Sequence, residues 1–180
     1  IHPKNADTQL GYVVFLLSQR NTEKAEAALK AFIEKNPDAG KLRLALGEFY
    51  ELNKRADEAR KTYAALGERA PKSTEGLAAR SRVAASDARG GKLDVARIQV
   101  DNILKDEPDD ADALLLRAGL RIAEGKFADA VGDLRIVLRK QPKNDRALLL
   151  LAQAYGRMND IVLAEDTYRR LLEVVPESPD

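Results

Sequence analysis

The sequence predicts an all-helical solenoid, a row of antiparallel helix hairpins stacked in chain order. Three observations support this prediction. Prolines recur at a nearly constant interval, alanines recur in the same rhythm, and apolar residues within each interval follow the spacing of one helix face. A single repeat of this size cannot bury its apolar face alone, so successive repeats are expected to pack on one another as a single domain, 1–180.

The prolines divide the chain into repeats. All but one of them are separated by 34, 34, 37, 34 and 34 residues. They are Pro3, Pro37, Pro71, Pro108, Pro142 and Pro176. A second set of residues keeps the same spacing: five alanines each precede one of these prolines by 12 residues, and we call them the register alanines. These alanines are Ala25, Ala59, Ala96, Ala130 and Ala164. The predicted repeats are 6–39, 40–73, 74–110, 111–144 and 145–178.

The first repeat is expected to begin with a helix that is buried on both sides. Its residues 10–17 are apolar nearly all round, a pattern typical of a covered helix. Residues 3–5 have the same Pro-Lys-Asn order as residues 142–144, which indicates an earlier repeat. We therefore expect an internal piece of a longer array, or a truncated one, whose uncapped ends are able to self-associate.

In the second repeat, small side chains mark the place where the two helices touch. Gly47 on the first helix and Ala59 on the second leave room for the backbones to approach closely. Later repeats keep small residues at both positions. On the first helix these are Ala84, Ala118 and Ala152.

This pattern resembles the tetratricopeptide repeat (TPR). The matching residues of repeat 2 are Leu46, Gly47, Tyr50, Ala59, Tyr63 and Pro71. The resemblance covers almost the whole chain. It implies a right-handed superhelix in which the first helix of each repeat, the A helix, lines the concave side, and in which the B helix lies behind it. It also implies a binding role, because relatives hold peptides or partner proteins.

The third repeat carries three extra residues, and its A helix is weakly apolar. Arg80 and Asp87 stand where neighbouring repeats generally place bulky apolar residues, and Leu77 and Val83 are the only large aliphatic residues on that helix. The simplest interpretation is a closely packed alanine-rich helix lengthened by about one turn. A local deepening of the groove, or a hinge, is the alternative.

In the fifth repeat, two groups of apolar residues at helical spacing flank a turn at 156–160. The first group is Leu148, Leu151, Ala152 and Tyr155, and the second is Ala164, Tyr168, Leu171 and Leu172. In the turn within a hairpin, Gly91, Gly125 and Asn159 share one position, where a positive φ is expected. Residues two places after a proline are expected to cap the next A helix. They are Asn5, Ser73, Asp110 and Asn144.

Composition and charge argue against several functional classes. With 30 Lys and Arg against 29 Asp and Glu, the formal charge of +1 gives no general attraction for nucleic acid or an anionic membrane. The absence of cysteine excludes disulfides, thiolate metal sites and Cys nucleophiles. The longest apolar run, 12–17, is too short to cross a bilayer. We expect a soluble segment, in either the cytoplasm or the periplasm.

Catalytic and metal motifs are not found. His2 is the only histidine, so neither a Ser-His-Asp site nor a His metal site can be assembled. Asp109, Asp110 and Asp112 lie at a helix start, where negative charge complements the helix dipole. The glycines at 90–91 and 125 lack the spacing of a phosphate-binding loop and belong to turns. We therefore expect no enzyme activity, cofactor or metal.

What remains is a surface. The TPR resemblance assigns 18 residues of the A helices to the concave side, and we name them the inner positions. They are Leu10, Val14, Leu17, Lys41, Leu44, Glu48, Glu51, Ser81, Ala85, Arg89, Asp112, Leu115, Gly119, Ile122, Arg146, Leu149, Gln153 and Arg157. A row of leucines among them favours an apolar peptide or an amphipathic helix. Alternatively, some of these leucines pack between neighbouring A helices.

Three functional hypotheses follow. The first is a protein-interaction scaffold; its repeats look like those of bacterial arrays associated with envelope assembly, polysaccharide export or secretion. Relatives that clamp chaperone C-termini use Lys and Asn at recurring positions of the A helices. These positions hold Leu44 and Glu48, or Leu115 and Gly119, in this sequence, which argues against such a clamp. The second hypothesis is a self-associating structural module, and the third is the docking region of a larger enzyme.

Overall fold

The computed structural model of the chain describes residues 5–174, and these form ten helices and no strand. The helices are α1 (Ala6–Ser18), α2 (Thr22–Lys35), α3 (Gly40–Leu52), α4 (Ala56–Arg69), α5 (Thr74–Arg89), α6 (Leu93–Asp106), α7 (Ala111–Ala123), α8 (Phe127–Lys140), α9 (Asp145–Arg157) and α10 (Ile161–Val174). Odd-numbered helices are the A helices, and each begins at the first residue of a predicted repeat. The predicted all-helical hairpin fold is confirmed.

The helices form two compact units, divided between Ser86 and Asp87 within α5. In unit 1, α2 packs on both α1 and α3, α3 packs on α4, and α1 also touches α3. In unit 2, α8 packs in the same way on α7 and α9, α6 packs on α7, α9 packs on α10, and α7 touches α9. A B helix therefore lies against its own A helix and against the next one. The expectation of one undivided array stays a prediction.

The small residues lie where the sequence predicts close helix contact. All five register alanines are buried, and so are Gly47, Ala84, Ala118 and Ala152 on the A helices. The closest approach is at Gly47, where an added Cβ atom would lie 2.2 Å from Cε1 of Tyr63. The absence of a side chain on residue 47 is therefore what admits the tyrosine ring.

The turns inside the hairpins are all alike. Gly91, Gly125 and Asn159 have φ of 78°, 76° and 61°, which confirms the predicted positive values. Arg20 and Lys54, at the same position in repeats 1 and 2, have φ of 55° and 60°. The amide that follows each of these residues donates to the carbonyl five residues earlier at 2.8–3.0 Å. This is the Schellman arrangement that ends a helix.

The predicted N-caps are confirmed. The side chains of Asn5, Ser73, Asp110 and Asn144 each accept a hydrogen bond from a backbone amide in the first turn of the next A helix. Ala39 holds this position in repeat 2, and α3 begins without a side-chain cap. Four of the five A helices thus gain a hydrogen bond for an amide that the helix itself leaves unpaired.

The third repeat accommodates its extra residues by lengthening the A helix. α5 has 16 residues, whereas each of the other A helices has 13. Arg80 lies over Gly67 and donates to the carbonyl of Pro71 at 2.9 Å. Asp87 is only 3% exposed and accepts from Nε2 of Gln99 at 3.1 Å. The simplest interpretation of this repeat, a lengthened helix, is confirmed, and both unexpected charged residues have polar partners.

Two apolar surfaces are more open than the sequence suggests. We expected α1 to be buried on both sides, but Tyr12 and Phe15 are 50% and 57% exposed. On α10, Ala164 is buried, whereas Tyr168 and Leu172 from the same predicted apolar face are 42% and 75% exposed. Tyr12 is covered in part by Phe32 of α2, whose ring centre lies 6.3 Å away in an edge-to-face contact.

Candidate functional site

The inner positions of unit 1 combine half-buried leucines with exposed groups. Leu10, Leu17 and Leu44 pack against the core cluster and are half-buried, so they contribute both to packing and to the surface. Val14, by contrast, is 64% exposed, and Lys41 is exposed as well. The alternative that some leucines pack between A helices therefore holds in part for this unit.

Charged groups tie the A helices of unit 1 together. Nζ of Lys41 lies 2.8 Å from Oδ1 of Asp7, and this hydrogen bond raises the pKa of Lys41. Arg82 on α5 lies 3.6 Å from Glu48 and 3.5 Å from Glu51 on α3. The two inner carboxylates are therefore partly neutralised by an arginine that the sequence analysis did not assign to this surface.

Two further inner positions of unit 1 lie on α5. Ser81 is only 5% exposed, and its Oγ has no hydrogen-bond partner within the described residues. Ala85 is half-buried. The residue of this helix that reaches Glu48 is Arg82, one position after Ser81. The sequence contained one signal for this contact. An arginine directly follows a predicted inner position, and its long side chain reaches across to the adjacent helix.

Glu51 also accepts a hydrogen bond from the phenol of Tyr63. The Tyr63 hydroxyl donates to Oε2 of Glu51 at 3.0 Å. Burial of the ring, followed by the neighbouring Glu51 charge, raises the pKa of Tyr63, so the phenol stays protonated and remains a donor. This hydrogen bond joins the inner position Glu51 to the buried Tyr63 of the same hairpin.

The inner positions of unit 2 are more open. On α7, Leu115 is 3% exposed and belongs to the core, Ile122 and Gly119 are half-buried, and Asp112 is exposed. An added Cβ on Gly119 would meet no atom within 4 Å, so open space lies in front of this residue. Arg89, at the end of α5, is exposed too.

All four inner positions of α9 are exposed, and we call them the α9 face. They are Arg146, Leu149, Gln153 and Arg157. Leu149 has 40% of its surface exposed, in contrast to its buried counterpart Leu115. The guanidinium of Arg157 lies 5.7 Å from the ring centre of Phe127, which holds its charge near the end of the helix. The α9 face thus offers one apolar side chain between two arginines.

The junction between repeats 1 and 2 contains a polar cluster around Glu26. Its carboxylate lies 2.6 Å from Nη1 of Arg55 and 2.7 Å from Nζ of Lys30, and it accepts from the hydroxyl of Tyr50 at 3.2 Å. Arg55 also stacks 4.4 Å from the ring centre of Tyr50. The hydrogen bonds from Arg55 and then Lys30 lower the pKa of Glu26 from 4.5 to about 2.

Unit 2 contains a buried charge network that the sequence analysis missed. Asp133 on α8 is 3% exposed and accepts from Nη2 of Arg117 at 2.7 Å and from Nη1 of Arg121 at 2.5 Å. These arginines take the places that Leu46 and Tyr50 have in repeat 2. The signal for this network in the sequence is the presence of two arginines at positions that are apolar in another repeat. A buried arginine needs a hydrogen-bond acceptor nearby.

Next to this network lies a cleft of about 200 Å³ between α6, α7 and α8. Its lining contains four cations and three carboxylates, among them Arg97, Glu124 and Lys126. Arg97 donates to Glu124 at 2.5 Å, and Lys126 lies 2.8 Å from the same carboxylate. Cations and carboxylates in the cleft therefore satisfy one another and give it a structural role.

Metal and membrane sites were also considered. Among residues 5–174, no three His, Cys, Asp or Glu side chains are grouped so that they could hold a metal ion. His2 lies outside the described residues. None of the helices in that range has both the length and the apolar character needed to cross a bilayer.

Comparison with known families gives a match. A model of the tetratricopeptide repeat matches residues 16–83 and 121–180, which together make up well over half of the chain. This family is in general a non-catalytic scaffold family. Comparison with curated proteins gives no match.

Solved structures of TPR proteins have the same fold. A thermophilic TPR protein of Thermus thermophilus is 19% identical, with a TM-score of 0.74 over 96% of this chain and 92% of that one. YrrB, described as a TPR protein with an unusual peptide-binding site, is 15% identical, with a TM-score of 0.57 over 98% and 89%. Part of the APC/C Cut9–Hcn1 hetero-tetramer is 14% identical, with a TM-score of 0.80 over 98% and 35%. At these identities the likeness shows the fold alone.

Proposed function

Because the chain belongs to the tetratricopeptide repeat family, we propose that it is a scaffold that holds a peptide or a partner protein against the inner positions of its A helices. The observation that carries this proposal is the α9 face. A leucine with 40% of its surface in water, between two exposed arginines, offers a partner one apolar contact and two positive charges. The proposal includes no enzyme activity of the chain itself.

The chemistry of the α9 face suggests what a partner would carry. Leu149 favours an apolar side chain, and Arg146 and Arg157 favour carboxylates on either side of it. Gly119 on the neighbouring A helix leaves room for that apolar group. A segment with an apolar residue flanked by acidic residues is therefore the proposed ligand class.

YrrB supports this proposal, because its described peptide-binding site belongs to a protein of the same fold. A narrower assignment is an assembly role in a bacterial envelope, in polysaccharide export or in secretion. It rests on the composition of the repeats and on their likeness to bacterial arrays. We also propose that the five repeats act as one array.

The test uses a random-peptide library selected against the chain, with the affinity of the selected peptides measured by fluorescence polarisation. Replacing Leu149 with Glu should weaken binding at least about tenfold, or about 1.4 kcal/mol, because a charge then replaces the apolar contact. The melting temperature should fall only slightly, since 40% of the surface of Leu149 is already in water. Val162→Glu, at a 77% exposed position on a B helix, is the matched control and should bind normally.

Two results would count against the proposal. The first is equal affinity for the parent chain and Leu149→Glu. The second is a loss of binding in the Val162→Glu control. Leu115→Glu separates binding from folding, because Leu115 has the same repeat position but is buried, so this variant should lose stability first.

A further inference from the structure

The cleft between α6, α7 and α8 lies at a place that a tyrosine ring fills in other repeats. Its lining residues Arg97 and Arg121 have the repeat positions of Glu26 and Tyr50. The Tyr50 ring is 5% exposed, and its hydroxyl donates to Glu26 on the preceding B helix at 3.2 Å. The guanidinium of Arg55 covers the ring at 4.4 Å from its centre. In repeat 2 this place is therefore closed by a side chain of the A helix.

Repeat 5 closes the same place in the same way. Tyr155 on α9 is 6% exposed, and its hydroxyl accepts from Nη2 of Arg135 on α8 at 2.9 Å. Arg135 has the repeat position of Asp101, another residue that lines the cleft. In both repeats, a tyrosine of the A helix thus fills the space beside the preceding B helix and bonds to that helix through its hydroxyl.

Repeat 4 has an arginine and a leucine where repeat 2 has its two aromatic residues. Nη1 of Arg121 lies 2.5 Å from Oδ2 of Asp133 and 3.1 Å from the carbonyl oxygen of Asp129, so it binds within its own hairpin. Leu120 stands in the place of Phe49 and is half-buried in the lining of the cleft. The cleft has a volume of about 200 Å³, and an engineered apolar cavity of about 150 Å³ holds a benzene ring. A single aromatic side chain therefore fits into it.

Ion pairs join the walls of the cleft to each other. Arg97 on α6 donates to Glu124 at the end of α7 at 2.5 Å, and Arg117 on α7 lies 3.7 Å from Asp101 on α6. These pairs hold α6 and α7 on either side of the space without filling it. The cleft is therefore formed before a ligand enters, which reduces the cost of binding.

The polar groups of the cleft suit a neutral hydroxyl group. By repeat position, a hydroxyl placed like that of Tyr50 would face Arg97, and one placed like that of Tyr155 would face Asp101. A phenol hydroxyl both donates and accepts, so it is able to accept from the guanidinium and donate to the carboxylate. A ligand carboxylate only accepts and would meet the like charge of Asp101. The cleft thus favours a phenol over an aromatic acid.

The surface beside the cleft leaves room for the main chain of a partner. Ile98 directly follows the cleft residue Arg97 on α6 and is 63% exposed. Gly132 lies three residues after the cleft residue Asp129, on the adjacent part of α8. A Cβ atom on Gly132 would meet no atom within 4 Å. One side of the cleft therefore offers an apolar contact, and the other offers open space over bare backbone.

We propose that the cleft binds the side chain of a tyrosine that belongs to a partner protein. The ring packs on Leu120 beside the guanidinium of Arg121, and the hydroxyl bonds to Arg97 and Asp101. The partner thereby supplies the ring that the chain itself supplies in repeats 2 and 5. This inference goes beyond the proposed function, because the lining of the cleft contains none of the inner positions.

An NMR titration of the 180-residue chain with acetyl-tyrosine amide tests this inference. A single capped side chain should bind saturably with a Kd on the order of 1 mM. Acetyl-phenylalanine amide lacks the hydroxyl and should bind at least about threefold more weakly. Asp101→Leu should reduce this preference for tyrosine, because it removes the acceptor of the hydroxyl.

Two variants fill the cleft from the inside. Arg121→Tyr supplies the ring that repeats 2 and 5 have at this position, and Leu120→Phe supplies the second ring of repeat 2. Each should weaken the binding of acetyl-tyrosine amide at least about tenfold, because the space is then occupied. Asp133 keeps its hydrogen bond from Arg117 at 2.7 Å in Arg121→Tyr, and circular dichroism verifies that both variants are folded.

The matched controls change residues outside the cleft. Val162→Tyr adds the same ring at a position that is 77% exposed on α10, and it should bind the probe like the parent chain. Leu149→Glu alters the proposed peptide site and should also bind the probe normally. The two sites are thus tested separately, and a failure of one leaves the other standing.

Three results would overturn the proposal. One is a parent chain that shows no saturable binding of acetyl-tyrosine amide. Another is undiminished binding in both Arg121→Tyr and Leu120→Phe, because the probe would then lie elsewhere. The third is binding of 4-methylphenol, the bare side chain, without binding of acetyl-tyrosine amide, since that cleft would admit a small molecule and not a residue of a protein.

Discussion

Gly47 lies directly against the ring of Tyr63, so that a Cβ atom on residue 47 would come 2.2 Å from Cε1 of the tyrosine. This contact joins the A helix and the B helix of the second hairpin at the point of closest approach. The ring is fully buried, and its hydroxyl is fixed by Glu51. Neither side can move without disturbing the other, and this gives the first prediction.

Gly47→Ala should lower the free energy of unfolding by about 1–3 kcal/mol, because the methyl group overpacks the hairpin. Gly119→Ala is the control, since an added Cβ there meets nothing within 4 Å. In that open helical position alanine should raise stability by about 0.5–1 kcal/mol. Urea denaturation of both variants measures the difference, and equal stability of the two would contradict the packing described.

The left-handed turn residues give the second prediction. Gly125→Ala should destabilise by about 1 kcal/mol, because a residue with a Cβ is strained at φ of 76°. Lys54→Gly should have the opposite sign and stabilise by less than about 1 kcal/mol, since it relieves strain but loosens the unfolded chain. Thermal melting distinguishes the signs, and a loss of stability in Lys54→Gly would show that the lysine side chain stabilises the turn.

The third prediction concerns the buried carboxylate of unit 2. Asp133→Asn should destabilise by about 3 kcal/mol, because it removes the negative charge that compensates Arg117 and Arg121. Asp38→Asn removes a carboxylate that pairs with Arg69 at 2.5 Å on the surface, and should cost less than about 1 kcal/mol. Chemical denaturation measures the loss of stability in each variant. Asp133→Asn should remain the more destabilising of the two at every salt concentration.

Stability should also depend on pH through Glu26, whose pKa falls from 4.5 to about 2 on folding. A lowered pKa contributes stability that is complete above the unfolded value and is lost as the pH falls through the folded value. At neutral pH, Glu26→Gln should therefore destabilise by about 2 kcal/mol, the size of a charged hydrogen bond. This difference should shrink as the pH is lowered from about 4.5 toward about 2.

Urea titrations of the parent chain and Glu26→Gln at several pH values test this prediction. Glu34→Gln, which removes an exposed carboxylate from the same helix, is the control and should differ little in stability from the parent chain. A difference between the parent chain and Glu26→Gln that stays constant down to low pH would mean that Glu26 is not ionically paired in the folded chain.

The repeat pattern predicted the helices and their ends well, because those features depend on local chemistry. Pro, Ala and the capping residues each act within a few positions of the chain, so their spacing locates helix starts such as that of α3 at Gly40. The turns of repeats 1 and 2 were missed because Arg20 and Lys54 take a positive φ that their side chains do not favour. Their conformation is imposed by the hairpin around them.

The solvent exposure of the inner positions was predicted less completely, because it depends on how closely each helix packs against its neighbours. Leu115 and Leu149 have the same repeat position, yet one is buried and the other is 40% exposed. Nor could periodicity alone reveal the acceptor of Arg117 and Arg121, because Asp133 lies on another helix. Pairings of this kind are visible only once the helices are placed side by side.

Within each unit, helix contacts join helices that are next to each other or next but one along the chain. Such contacts close only short loops, which keeps the entropic barrier to folding low. A hairpin can therefore acquire its native neighbours while the ribosome is still synthesising later repeats. The nascent chain would then bury its apolar helix faces in sequence order, a few dozen residues at a time. Its apolar surface would therefore be exposed only briefly, which lowers the risk of aggregation.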